Sequence, residues 1–138
     1  MSASIAKAVR TPIATGEIEA TRWGFKEIID KKAASILQPE AHVCGGLTEW
    51  LRIAKMAAEH KLTIAPHWFA ELHAHLVSAT PNATWVEYFV DDSVLNVKRV
   101  FANELEVRGG NIILPETPGH GITLDPKAVK RYAIDKWS

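Results

Sequence analysis

Cysteine, long apolar runs and charge imbalance are all scarce in this sequence. Cys44 is the one cysteine, so no disulfide can form within the chain, and a lone thiol fits a reducing, cytoplasmic setting. No apolar run approaches the roughly 18 residues of a spanning helix, so no membrane partner is expected. The first ten residues lack the apolar segment of a signal peptide. Ile5, Ala6 and Val9 instead sit at helical spacing, like the tail of a helix that begins elsewhere. Lys plus Arg equals Asp plus Glu at 16 each. With no basic stripe to reverse that balance locally, nucleic acid is not an expected partner either. Low-complexity segments and sequence repeats are also missing.

What remains is an ordinary globular composition. Hydrophobic residues make up 47% and charged ones 23% of 138 residues, enough to bury a core and about one domain's worth of chain. Short apolar runs with little alternation occur at Pro12–Thr15, Ala34–Leu37, Leu62–Ala65 and Thr84–Val86. They read as strands covered on both faces. Helical spacing lies between them. Thr21 is placed to cap a helix through about Lys31 with Phe25, Ile28 and Ile29 inward. Leu47, Leu51, Ala54 and Ala58 form an apolar stripe on a helix over about Leu47–His60. Leu72, Leu76 and Ala79 mark one side of a helix over Glu71–Ala79. Strand and helix therefore alternate at roughly two dozen residues per unit, the rhythm of parallel βα units. Residues 1–87 are expected to form this part and residues 88–138 a tail of different character. In the tail, Tyr88–Ala102 mixes charged and apolar residues. Arg108-Gly109-Gly110-Asn111 signals a hairpin between Leu105–Val107 and Ile112–Leu114. Pro118–Gly121 reads as a loop, and Asp125 before Pro126 starts a short helix to about Tyr132.

Glu17, Glu40, His67 and Glu87 each follow one of the four strands. In a parallel barrel all strand C-termini share one face, and that face carries the site. Three carboxylates and an imidazole suit metal binding with acid–base chemistry, although any one of them also reads as a polar residue entering a loop. His73 and His75 stand two apart on a helix, face different directions and read as structural or surface residues. His60 reads as a partner for a helix C-terminus, Glu71 as a helix-start residue, Gly45-Gly46 as a tight turn and Cys44 as packed and inert.

The motifs around those positions resemble one family. Pro12-Ile-Ala-Thr-Gly-Glu17, Gln38-Pro-Glu-Ala-His-Val-Cys-Gly-Gly-Leu-Thr-Glu-Trp50, Ala65-Pro-His-Trp-Phe-Ala-Glu-Leu-His-Ala-His-Leu76 and Trp85-Val-Glu87 are similar, in order and spacing, to signatures of the mandelate racemase-like group of the enolase superfamily. The resemblance implies an α/β fold: the C-terminal half of a (β/α)7β TIM-like barrel, parallel strands 5 to 8, followed by a tail with a β-hairpin that returns toward a capping domain.

It also implies magnesium-assisted removal of the proton next to a substrate carboxylate, with a small hydroxy acid as partner. Glu17 matches the metal ligand of strand 5, His67 the base of strand 7, and Glu87 the strand 8 acid that binds the substrate carboxylate. Glu40 matches the carboxylate that orients the base, at a position where the family usually has Asp. Trp68, directly after His67, is placed to line the substrate pocket. The implied reaction is dehydration of a sugar acid (aldonate or aldarate). Racemisation or epimerisation of a 2-hydroxy acid is the alternative, and a non-catalytic folding or assembly half is a third. The family's lysine base on strand 2, its other metal ligands and its capping domain have no counterpart in these residues. A fragment without full activity, forming a homo-oligomer or requiring the missing half, is therefore expected.

Overall fold

A computed structural model describes residues 2–90 and 96–134 of the chain. Residues 91–95, within the expected mixed stretch of the tail, lie outside the described residues. The chain divides into two compact units, one to Tyr88 and one from Phe89.

The first unit opens with helix α1, Ser2–Ala8, then alternates as the apolar runs predict. Strand β1, Ala14–Thr15, leads to helix α2, Thr21–Asp30. Strand β2, Ile36–Leu37, is followed by a one-turn helix α3, Ala41–Cys44, and by helix α4, Leu47–Glu59. Strand β3, Thr63–Ile64, precedes helix α5, Ala70–Ser78. The three strands pair in parallel in the order β1-β2-β3. The fourth expected strand shrinks to one parallel bridge between Ala83 and Ile64, one residue ahead of Thr84–Val86.

The core lies between this sheet and the helices. Phe25, Leu37, Trp50, Ile53 and Ile64 are fully buried, and Trp50 also donates its indole N–H to the Pro39 carbonyl at 3.0 Å. That bond satisfies the one polar group of the largest buried side chain. Arg22 fastens the start of α2 to α4: its backbone N–H and its guanidinium each reach a Glu49 carboxylate oxygen at 2.8 Å.

Three local expectations change. Thr21 is the first residue of α2, behind Ala20 at the cap, and its hydroxyl accepts from the Trp23 N–H at a long 3.4 Å. The buried stripe of α4 is Trp50, Ile53, Ala54 and Ala57, whereas Leu47 and Leu51 are 45% and 47% exposed. Both stripes obey helical spacing, and the one with the larger aromatic and branched side chains buries more area. On α5 the buried face is Ala70, Glu71, His73, Ala74 and Leu76, with Ala79 exposed.

The second unit holds a short 3-10 helix, Val97–Val100, and an antiparallel hairpin of β4, Glu106–Arg108, with β5, Asn111–Ile113. Gly109 and Gly110 turn the hairpin at φ of 58° and 79°, the positive pair that a two-residue turn requires. Helix α6, Pro126–Tyr132, starts as predicted, with the Asp125 carboxylate accepting from the Lys127 N–H.

Candidate active site

The C-terminal ends of the parallel strands set the site. Glu17 leaves β1 after Gly16, whose φ is +123° and whose added Cβ would stand 2.5 Å from the Phe25 ring. Only glycine lets the chain turn that close to the core there. Glu40 leaves β2 after the buried Pro39. His67 leaves β3 after the buried Pro66, and Trp68 and Phe69 follow at φ of 49° and 36°. Glu87 lies beyond the bridge at Ala83.

Three of the four groups converge. His67 Nε2 lies 3.4 Å from Glu17 Oε2 and 3.9 Å from Glu87 Oε2. The Glu87 carboxylate also accepts from the Trp68 N–H at 2.7 Å. The His67 side chain is 30% exposed, and those of Glu17 and Glu87 are 56% and 42% exposed. An imidazole between two accessible carboxylates is placed to exchange a proton with a bound molecule.

Glu40 sits elsewhere than expected. It is buried, and no ion pair joins it to His67 among the described residues. Its carboxylate caps α3 by accepting from the His42 N–H at 3.1 Å and meets His42 Nδ1 at 2.6 Å. The reason is local. Gly45 ends α3 in a left-handed conformation at φ of 112°, so one helical turn follows Glu40 and folds His42 back over it. Glu40 thus orients His42, and the expected carboxylate–His67 pair is replaced by Glu17 and Glu87 around His67. Cys44, on the same turn, is fully buried. Burial and the nearby Glu40 charge push its thiol up to about 11, so it is inert at neutral pH.

Sequence reasoning undervalued His42 and His73. His73 is completely buried. Its Nε2 accepts from the Ala41 N–H at 3.0 Å, and its Nδ1 donates to the Trp68 carbonyl at 2.6 Å. The signal was available: Ala70, His73 and Ala74 stand at helical spacing on the buried face of α5. Trp68 is half-buried and packs edge-on against Phe69. Glu71 is also buried, in the first turn of α5.

The residues present do not fit a complete magnesium site. Magnesium takes about six oxygens in octahedral array. Glu17, the one expected ligand, has an imidazole as its near neighbour, and the described residues contain no group of three potential ligands.

Parallel βα units with ionisable groups gathered at the strand C-termini are the arrangement found in part of a (β/α) barrel. Residues 1–128 match the family described as enolase C-terminal domain-like, and the chain belongs to that family. It is 36% identical over 126 residues to L-talarate/galactarate dehydratase of Salmonella typhimurium, covering 91% of this chain and 30% of that protein. It is 32% identical to L-rhamnonate dehydratase of Saccharopolyspora erythraea, over 88% of this chain and 32% of that one. Arabinonate dehydratase of Saccharolobus solfataricus is 32% identical, with coverage of 96% and 36%. The chain thus spans about a third of the length of these curated relatives. Among solved structures, L-talarate dehydratase from Polaromonas sp., complexed with Mg and L-glucarate, superposes with a TM-score of 0.82 at 36% identity, covering 94% of this chain and 35% of that one. The Salmonella enzyme liganded with Mg and L-lyxarohydroxamate gives 0.83 at 34% identity, covering 94% and 32%. The fold is α/β with a parallel sheet, equivalent to the C-terminal barrel half of these enzymes. No helix among the described residues is long and apolar enough to cross a membrane.

Proposed function

We propose that this chain supplies the proton-abstracting edge of a sugar-acid dehydratase and is not sufficient for turnover alone. The observation that carries the proposal is the convergence of Glu17, His67 and Glu87 at the strand ends. Dehydration is preferred to racemisation because all three curated relatives above are named as dehydratases of sugar acids.

In this reading His67 Nε2 takes the proton next to the carboxylate of an aldonic or aldaric acid. The bonding pair moves into an enediolate, the β-hydroxyl departs, and the imidazolium returns its proton to it as water leaves. Glu87, anchored by the Trp68 N–H, faces the substrate carboxylate end and bonds it through a proton shared between the two carboxyl groups, and Trp68 lines the approach. Glu17 would be one ligand of a magnesium ion whose remaining oxygens come from outside these residues and whose positive charge would offset the developing anion. Catalysis by removal of so weakly acidic a proton needs that extra charge, because the enediolate is a dianion.

The test has two arms. The purified chain, given aldonic and aldaric acids with magnesium, is expected to show no turnover; clear turnover would overturn the claim of insufficiency. A fusion supplying the N-terminal portion of the Salmonella relative is expected to dehydrate aldarates, and His67→Asn to abolish that activity. Unchanged rates in the variant would remove His67 as the base.

A further inference from the structure

The geometry points to His73 as a positioning residue: a neutral, tautomer-locked imidazole that ties the loop after β2 to the loop after β3 and thereby holds Trp68, the residue whose N–H anchors Glu87. It extends the reading of the site above only in what the positioned groups do; the placement itself stands without turnover.

The hydrogen bonds dictate the tautomer. The Ala41 N–H donates to Nε2 at 3.0 Å, so Nε2 carries a lone pair. The Trp68 carbonyl lies 2.6 Å from Nδ1 and can only accept, so Nδ1 carries the proton. Glu40 lies 3.7 Å from Nε2, but a lone pair and a carboxylate oxygen cannot bond, and Glu40 is satisfied by His42 instead. Protonating His73 would set N–H against N–H at Ala41.

The Trp68 backbone needs such a restraint. Trp68 and Phe69 both have positive φ, 49° and 36°, a conformation that persists in bulky residues only when the surroundings overdetermine it. His73 grips the Trp68 carbonyl from inside the core. The same residue's N–H faces the other way and donates to Glu87 at 2.7 Å. The series runs from Ala41 through His73 and Trp68 to the Glu87 carboxylate beside His67. Around the imidazole stand the Glu40 carboxylate, the Trp50 ring at 6.5 Å between centroids, and the more distant His42 and His67. Burial lowers its basicity more than Glu40 restores it.

Nitrogen-resolved NMR of the protein's histidines tests this first. His73 is expected to show the neutral Nδ1–H tautomer and to hold it as the pH falls to about 6, where a free imidazole is already largely charged. The Nε2–H tautomer, or titration like an exposed histidine, would overturn the proposal without any variant having to fold. Amide exchange tests the relay. In His73→Phe the Trp68 amide should exchange faster by about tenfold, the order expected for loss of one hydrogen bond, while Ile36, Leu37 and Ile64 stay protected. His73→Gln, which can both accept and donate, should restore protection at Trp68. Equal loss at every amide, or no rescue by Gln, would reduce His73 to general packing and overturn the positioning role.

Discussion

His67 Nε2 stands 3.4 Å from the Glu17 carboxylate, although the two residues close different strands of the sheet, β3 and β1. A contact of this kind competes with metal binding, since Glu17 would have to turn from the imidazole toward a cation. Glu17 is also 56% exposed and well solvated. Magnesium binding by the chain alone should therefore be weak. Isothermal titration is expected to give a dissociation constant no tighter than about millimolar, the weak end of carboxylate sites, with Glu17→Gln reducing it further. Micromolar binding would show that other residues complete the site.

Burial lowers the basicity of His73 below its ordinary 6.5. The sign follows from proton uptake: below about 6.5 the unfolded chain binds a proton that the folded chain refuses. The stability that His73 contributes is present above the unfolded value and is lost as pH falls through the folded one. Urea midpoints should drop between about pH 7.5 and about pH 5, and His73→Gln should flatten that slope. An unchanged slope in the variant would assign the acid lability to other groups.

How much of this was legible follows from what each residue answers to. The strands were readable because Ile36-Leu37 and Thr63-Ile64 are short apolar runs stopped by Pro39 and Pro66. Parallel topology led to the expectation that Glu17, Glu40, His67 and Glu87 converge, and Glu17 and Glu87 are the ones that stand beside His67. Glu40 was not readable, because its direction depends on α3, a single turn too short to leave a periodic trace. The stripe of α4 was misassigned because Leu47/Leu51 and Trp50/Ile53 both fit a helix, and only the packed sheet decides which faces in. The burial of His73 was legible in the spacing of Ala70, His73 and Ala74, but its role was not: both of its partners are backbone groups, and main-chain partners write nothing into a sequence.

Gly16 offers a test of how β1 places Glu17. A methyl there would sit 2.5 Å from the Phe25 ring, on a backbone at φ of +123°. Phe25 is fully buried and cannot swing aside. Gly16→Ala should cost about 1–3 kcal/mol in urea unfolding, the range for overpacking with strain. Replacement of Gly46, where an added Cβ meets nothing within 4 Å, isolates the conformational part. Equal costs at both glycines would show that the Phe25 contact is irrelevant.

The last expectation concerns association. Strand β1 has β2 as its one described neighbour, so its other edge is unpaired. Unpaired edges template pairing with another chain. The apolar side chains that escape burial are large: Ile18 is 82% exposed, Trp23 64% and Trp85 71%. On α4, Leu47 and Leu51 are 45% and 47% exposed and stand about one helical turn apart, and Val43 of α3 is 44% exposed. A protein of this size rarely leaves so much apolar surface in water without a partner. The neutral net charge removes the long-range repulsion that would otherwise keep copies apart. Light scattering on the purified chain should therefore give a mass above that of one chain, rising with concentration. A double change of Leu47→Glu and Leu51→Glu should lower that mass if the α4 stripe contributes, without disturbing the core, since neither side chain is buried. If the variant still associates, the free edge of β1 becomes the contact, and Ala14→Pro, at a position whose main chain faces away from β2 because Thr15 bonds Gln38, removes an edge donor and is the next test. A monomer at every concentration, with native spectra, would mean that edge and stripe are covered and would overturn the expectation.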